Sequence, residues 1–326
     1  MSDSYITRQR RGKGFSYYDG ESLLSDTSEL QRVRKLAIPP AWTEVRISKD
    51  HDEKVLATGI DSAGRRQAIY HPDFRAAQDQ AKFERIMRFA KSLPHMRKQI
   101  EHDLASRRLS KEKVLACVVR LMDEAYFRVG NQQYAKENGH YGITTLRSKH
   151  ADIRSTSVTF DFVGKSGQKH HKTVSDRQIA RIIKQLDDLP GYEIFKYIDD
   201  DGTVRNIDSG DVNDYIKQHM GDEYSAKDFR TWGGTLLASA ELAAAEKAEN
   251  ERQRKRIINT CVRNVAKRLG NTPAVTRSSY IDPRIIDAYN ETEELSEMRQ
   301  AVEKLRPQKY MKPEERCVLN LLRQAT

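Results

Sequence analysis

Polar and apolar positions alternate through roughly the first ninety residues, and a helical period then takes over. Residues 43–50 (TEVRISKD) and 65–72 (RRQAIYHP) carry apolar side chains at alternate positions, as strands do, and 61–64 (DSAG) is a turn between two such runs. The stretch 38–42 (IPPAW) is not helical, because consecutive prolines remove backbone donors and restrict the residues before them. From about Ala81 the spacing of Ile86, Phe89, Leu93 and Met96 defines one helix face, with Pro94 expected to kink or split that helix. Val114, Leu115, Val118, Leu121, Met122, Ala125 and Val129 form a second stripe, for which Gly130 is the expected stop. The change of period puts a domain boundary between Arg75 and Ser92.

A hairpin interrupts the helices. Val158, Phe160 and Phe162 alternate, GKSG turns the chain with Lys165 in the turn, and HHKTV returns it. Helices resume over 176–189, ended by Pro190, and a short strand at 192–198 (YEIFKYI) runs into a DDDG turn. Ser225 with Asp228 three residues later is a capping-box pattern opening another helix. Residues 236–269 are Ala-rich and then heavily charged, a good helical composition. The expected fold class is therefore α+β: a small β-rich domain at 1–85, then a larger, mostly α-helical domain at 86–326 that contains a β-hairpin.

Charge changes the picture more than composition does. Of 326 residues, 57 are Lys or Arg and 47 Asp or Glu, a net charge of +10 that favours a polyanionic partner. No apolar run is long enough to span a bilayer, and the basic N-terminus (MSDSYITRQRRGKGF) lacks the apolar stretch of a secretory signal. Cys117, Cys261 and Cys317 are too few and too scattered for a disulfide framework or a zinc site, and read as reduced cytosolic cysteines. No GxxxxGK[ST] loop and no HExxH helix is present. The acidic run 199–201 reads as a plain turn, and His170 and His171 as solvated residues on a hairpin arm.

What remains is a series of cations leading to one tyrosine. Arg128 closes a helix, and after it Tyr134 and Tyr141 are interleaved with Lys136 and His140, a composition suited to a sugar–phosphate backbone. Arg230 lies one turn into the helix opened at Ser225, near an N-terminus where anions bind well. Tyr280 lies at a loop or helix edge. Taken singly, the bland readings win: a helix-end arginine, a solvated turn lysine, a salt-bridge arginine and a packing tyrosine.

Taken in order, RVGNQQYAKENGHYGITTL (128–146), FVGK (162–165), KDFRTWGGT (227–235) and LGNTPAVTRSSY (269–280) resemble the motif series of the poxvirus-like type IB DNA topoisomerases in their bacterial form. RKLAIPPAW and DSAGRRQAIYHP extend the likeness into the N-terminal part, so that it covers roughly residues 30 to 290. The resemblance implies duplex DNA as partner, a monomeric cytoplasmic, nucleoid-associated enzyme, and relaxation of supercoils of either sign without metal, ATP or another cofactor. It implies that Tyr280 is the nucleophile forming a 3′-phosphotyrosyl link, that Arg128 and Arg230 clamp the phosphate, and that Lys165 protonates the leaving 5′-oxygen. Lys227 belongs to the same Lys-x-x-Arg unit and is implied near the site. Asn271 stands where the poxvirus pattern has histidine; it can donate a hydrogen bond but cannot carry charge.

Gln67 and Tyr70 match base-contacting positions of the poxvirus pattern. Ala68 replaces an aromatic residue, and Asn131 and Gln133 replace lysines beside Tyr134 in the DNA-binding set, which predicts a weaker or different cleavage-sequence preference. The basic run 252–256 (RQRKR) is either a further DNA contact or a solvated helix face. Two other classes share parts of the pattern. A tyrosine recombinase has the Arg, Lys, Arg, Tyr set, but usually with His-x-x-Arg and a helical N-terminal domain. A non-catalytic DNA-binding protein would not need the tyrosine.

Overall fold

The structure, a computed structural model, describes residues 5–291, 294–306 and 308–324; residues 1–4 of the basic N-terminal stretch lie outside them. The chain divides into two compact units, Met1–Lys82 and Phe83–Thr326.

The first unit is built on β1 (Tyr5–Arg11), β2 (Gly14–Asp19), β3 (Ser22–Leu23), α1 (Thr27–Lys35), β4 (Thr43–Ser48), β5 (Val55–Ile60) and β6 (Arg66–Tyr70). The strands form one antiparallel sheet in the order β3-β2-β1-β4-β5-β6. Asp26 starts α1 by accepting the N–H groups of Ser28 (2.8 Å) and Glu29 (3.0 Å), and Val33 of that helix joins Ile6, Val45, Ile47 and Ala57 in a small core. The proline-bearing loop after α1 satisfies its carbonyls through Arg8, which donates to Ile38 O (3.0 Å), Pro39 O (3.0 Å) and Trp42 O (2.7 Å).

The division between the units falls inside α2 (Pro72–Leu104), a little before residue 85. That helix runs through Pro94 without splitting. Ile86, Phe89, Leu93, Met96 and Ile100 are all buried along it, so tertiary packing on both sides of the proline outweighs the lost donor. Next comes α3 (Lys111–Ala125), which ends earlier than the glycine signal suggested: Tyr126, in the left-handed region at φ 57°, stops it. A non-glycine residue there costs about 1–2 kcal/mol, so other contacts must hold Tyr126 in place.

After α4 (Gln132–Asn138), the strands β7 (Ala151–Ile153), β8 (Val158–Val163) and β9 (Lys169–Val174) make a three-stranded antiparallel sheet, and α5 (Arg177–Asp187) follows. Of the expected strand at 192–198, Lys196–Ile198 forms β10, which pairs with β11 (Val204–Asn206); Glu193 makes an isolated antiparallel bridge with Arg147, and Ile194 donates its N–H to Leu146 O (2.9 Å). The helices α6 (Ser209–Met220), α7 (Ala226–Ala243) and α8 (Glu251–Leu269) come next. The helical stretch expected at 236–269 is interrupted between α7 and α8, because Asn250 caps a new start by accepting the Gln253 N–H (2.9 Å). Finally α9 (Pro273–Ser279), α10 (Pro283–Glu291), α11 (Glu294–Lys304) and α12 (Pro313–Gln324) close the unit. The α+β expectation therefore holds: a strand-rich first unit, then a mostly helical one that contains the β7–β9 sheet and the β10–β11 pair.

Most of the second unit shares one core, into which α3 and α7 contribute the longest buried runs. A polar cluster ties the C-terminal helix to it. The buried Arg97 guanidinium of α2 pairs with Asp123 of α3 (2.7 and 3.0 Å) and with both carboxylate oxygens of Glu315 of α12 (2.7 Å each), and also donates to Tyr310 O (2.7 Å). Removing the cation would strand two carboxylates away from water. Arg97→Ala should lower stability by about 3–5 kcal/mol in urea unfolding, whereas a loss below about 1 kcal/mol would show that the cluster is not a structural tie.

Candidate active site

Four separated stretches of chain meet at the C-terminal ends of α3 and α8. The capping box at the start of α7 (Ser225 N–H and hydroxyl to Asp228, 2.9 and 3.0 Å) fixes the helix that carries Arg230, which is 3% exposed. Its two terminal nitrogens donate to Tyr126 O (2.5 Å) and Leu269 O (2.8 Å). Both carbonyls stand at helix C-termini, where the macrodipole is negative and welcomes a cation.

Arg128 lies beyond the end of α3, not within the helix. Its segment is laid against residues 143–144, with Ile143 N–H donating to Arg128 O and Thr144 N–H to Val129 O (2.8 Å each). The Arg128 side chain donates to Gly270 O (3.1 Å) and to the Asn271 side-chain oxygen. Asn271 follows Gly270, the left-handed cap of α8, and its own N–H donates to Ala266 O (2.9 Å).

Tyr280 caps the C-terminus of α9, directly after Ser279, and that short helix is started by Thr272 and Pro273. The Arg230 guanidinium carbon lies 5.3 Å from the centre of its half-buried ring. Two glycines of α7 make this approach possible. A Cβ on Gly234 would lie 2.4 Å from the Tyr280 carbonyl oxygen, and one on Gly233 2.2 Å from the Tyr126 ring. The same ring contact and the Arg230 hydrogen bond hold Tyr126 in its left-handed conformation.

Among the described residues no carboxylate pairs with Arg128 or Arg230. Both guanidiniums are held by neutral oxygens, so their charge is not cancelled locally. Arg230 Nε and Asn271 Nδ2 are buried donors with no protein acceptor. The electrostatics follow. Burial and, next, the Arg128 charge lower the Arg230 pKa to about 10, and burial lowers that of Arg128, so each remains a cation at neutral pH. For Tyr280, burial is the largest single effect and raises the pKa. The charges of Arg230 and Arg128, the side-chain contact with Arg230 and the charge of Lys227 together outweigh it, and the net shift is downward. A phenol that ionises more easily than usual, beside two uncancelled cations and orphan donors, is equipped to attack an anionic centre.

Lys165 is exposed at the tip of the β8–β9 hairpin, next to Ser166 at φ 60°, and among the described residues no hydrogen bond or ion pair joins it to the arginines. Lys227 is exposed one turn before Arg230. On α4, Asn131 is the N-cap and accepts the Tyr134 N–H (3.1 Å), Gln133 donates to Glu137 (2.9 Å), and the Tyr134 side chain is exposed. In the first unit Gln67 donates to Asp61 (2.9 Å), and the exposed Tyr70 ring tilts against Phe74. His171 is solvated as expected, but His170 is not: it is buried and stacks on Phe162 with ring centres 4.8 Å apart. Its pKa falls to about 4 through burial and the nearby cations, which keeps it neutral. Sequence reasoning also passed over Tyr126 and Lys172. The one available signal for Lys172 is a charged residue at a position where the alternation of HHKTV points inward.

Residues 71–309 match the family model of the catalytic core of eukaryotic DNA topoisomerase I, and residues 14–61 that of the N-terminal domain of bacterial DNA topoisomerase IB. The chain belongs to the type IB DNA topoisomerase family. It is 33% identical over 298 residues to DNA topoisomerase 1B of Acanthamoeba polyphaga mimivirus, covering 89% of this chain and 88% of the viral one. It is 26% identical over 273 residues to DNA topoisomerase 1B of Vaccinia virus (strain Copenhagen), covering 80% and 82%.

If the arginines hold the phenol below its ordinary value, removing one must raise it. In Arg128→Ala the Tyr280 titration, followed by NMR of ring-labelled tyrosine and assigned with Tyr280→Phe, should move up towards the free value of ~10. An unchanged titration would disprove the electrostatic coupling.

Proposed function

We propose that this chain relaxes duplex DNA by transient cleavage of one strand, with Tyr280 as nucleophile. The supporting observation is a half-buried phenol of lowered pKa beside two guanidiniums that no carboxylate among the described residues neutralises. In this reading the scissile phosphate enters between Arg128, Arg230 and Asn271. The phenol oxygen forms a bond to phosphorus, its proton passes to solvent, and the bond from phosphorus to the 5′-oxygen breaks. Lys165 delivers a proton to that 5′-oxygen from the hairpin tip, whose exposure leaves it free to meet DNA. The products are a 3′-phosphotyrosyl enzyme and a 5′-hydroxyl strand. The phosphodiester bond energy is kept in the new ester, so resealing needs no ATP, and the 5′ end can swivel in either sense before it returns.

Each component answers a physical need. Negative charge grows on the non-bridging oxygens in the transition state, and planar forks with permanent charge suit them. Removing one such donor is expected to lose about 3 kcal/mol of barrier lowering. Asn271 contributes its free Nδ2 donor but no charge. Lys227 adds positive potential at the phenol.

The remaining contacts of the reading are to the duplex: Gln67 and Tyr70 from the β-rich domain (1–85), acting as a DNA clamp, and Asn131, Gln133 and Tyr134 from the helical catalytic domain (86–326). A monomer is the working unit, because Arg128, Arg230, Asn271 and Tyr280 all come from one chain. A chromosomal substrate puts the enzyme in the cytoplasm, on the nucleoid. No helix among the described residues is long and apolar enough to cross a membrane.

The test is relaxation of supercoiled plasmid in EDTA without ATP, with covalent adduct measured in parallel. Tyr280→Phe should abolish both, and Lys165→Ala should slow cleavage by about 10²–10⁴-fold with DNA binding kept. Relaxation that survives Tyr280→Phe would overturn the assignment.

A further inference from the structure

The inward face of β9 carries His170, Lys172 and Val174, so a lysine occupies a position that an apolar side chain would fill more cheaply. Its ammonium donates to Ala125 O (2.7 Å) and Arg268 O (3.1 Å) and lies 5.6 Å from the Phe127 ring centre. These two carbonyls immediately precede the pair that hold Arg230, namely Tyr126 O and Leu269 O. The next carbonyl, that of the α8 cap Gly270, takes Arg128. Three consecutive carbonyls at the end of α8 therefore accept from Lys172, Arg230 and Arg128 in turn. Two consecutive carbonyls at the end of α3 accept from Lys172 and Arg230. The helix ends are laced together by two cationic rungs, and Lys172 is the outer one.

Lys172 is also the polar anchor of the hairpin whose tip holds Lys165. On the same face His170 fits between the root of that turn and the end of α8: a Cβ on Gly164 would lie 2.7 Å from its ring, and one on Gly270 2.1 Å. The hairpin, Arg230 and Asn271 thus share one frame. Keeping a third cation there is unfavourable, because burial and then the charges of Arg230, Arg268 and Arg128 push the Lys172 pKa down to about 7. The negative ends of two helices offset part of this, and an arriving phosphate would offset more.

We propose that Lys172 is a positioning residue for strand cleavage, which never touches DNA but fixes the carbonyls that aim Arg230 and holds the Lys165 hairpin to the same helix ends. The proposal rests on the function proposed above. It is tested with full-length Lys172→Met, Lys172→Gln and Lys172→Arg proteins. The readouts are single-turnover adduct formation on a duplex, affinity for that duplex, thermal unfolding, and the side-chain NMR signal of Arg230 without DNA. Misplacing the clamp should slow adduct formation about 10- to 100-fold in Lys172→Met, with affinity nearly unchanged and the Arg230 signal broadened or shifted. Lys172→Arg, which keeps the charge and two donors, should restore most of the rate.

Wild-type cleavage by folded Lys172→Met would overturn the proposal, and so would a loss confined to DNA affinity or a loss shared in full by Lys172→Arg. If Lys172→Met does not fold, Lys172→Gln carries the same comparison. The Arg230 signal decides the matter even if wild-type protein forms no adduct: an unperturbed signal in the variants sinks the positioning role, whereas absence of wild-type adduct sinks only the proposed function.

Discussion

The site depends on positive charge that is held in place without being neutralised. A carboxylate would fix a guanidinium just as firmly, but it would cancel the charge and compete with any phosphate that arrived. Backbone carbonyls at helix ends do otherwise: they supply geometry and a partial negative potential, and they leave the cation available. Arg230 and Arg128 are both held in this way, at Tyr126, Leu269 and Gly270. The phenol of Tyr280 feels the result as a lowered pKa despite its burial. The second unit can be understood as the apparatus that brings two helix C-termini to one point.

Local sequence and tertiary packing cooperate in that apparatus. The capping box sets the start of α7, and Gly233 and Gly234 let the same helix run close beneath Tyr126 and Tyr280. Asp282, after Tyr280, donates its N–H to Thr235 Oγ1 (3.1 Å), which ties the end of the tyrosine segment to α7 as well. The Arg97 cluster then secures α12 against α2 and α3, behind the helix whose end carries Tyr126. Each of these contacts limits where a reacting group can be.

Much of the architecture was legible because it is written in periodicity and punctuation. The strand alternation of 43–70, the apolar stripe of α3, the β8–β9 hairpin and the capping box at Ser225 all appear where local pattern puts them. The misreadings share one cause. Pro94 does not divide α2, and Tyr126 replaces Gly130 as the stop of α3, because buried partners distant in sequence outweigh local preferences. His170 looked solvated for the same reason: a strand's inward face can be recognised, but what will be packed against it cannot. Lys172 was missed because nothing nearby in sequence reveals two carbonyls from positions 125 and 268.

By itself the sequence determined the candidate residues and their order, because cations and a tyrosine within ordered motifs are chemical facts that do not depend on fold. It also determined the two-part, strand-then-helix organisation, since hydrophobic period is a local property. Only the tertiary structure decided which of those residues share a site: Arg128, Arg230, Asn271 and Tyr280 converge, while Lys165 is exposed at the tip of its hairpin. It alone decided that the arginines are held by carbonyls and that a lowered phenol pKa results. Electrostatic environment is a sum over neighbours brought from far along the chain, and no window of sequence contains that sum.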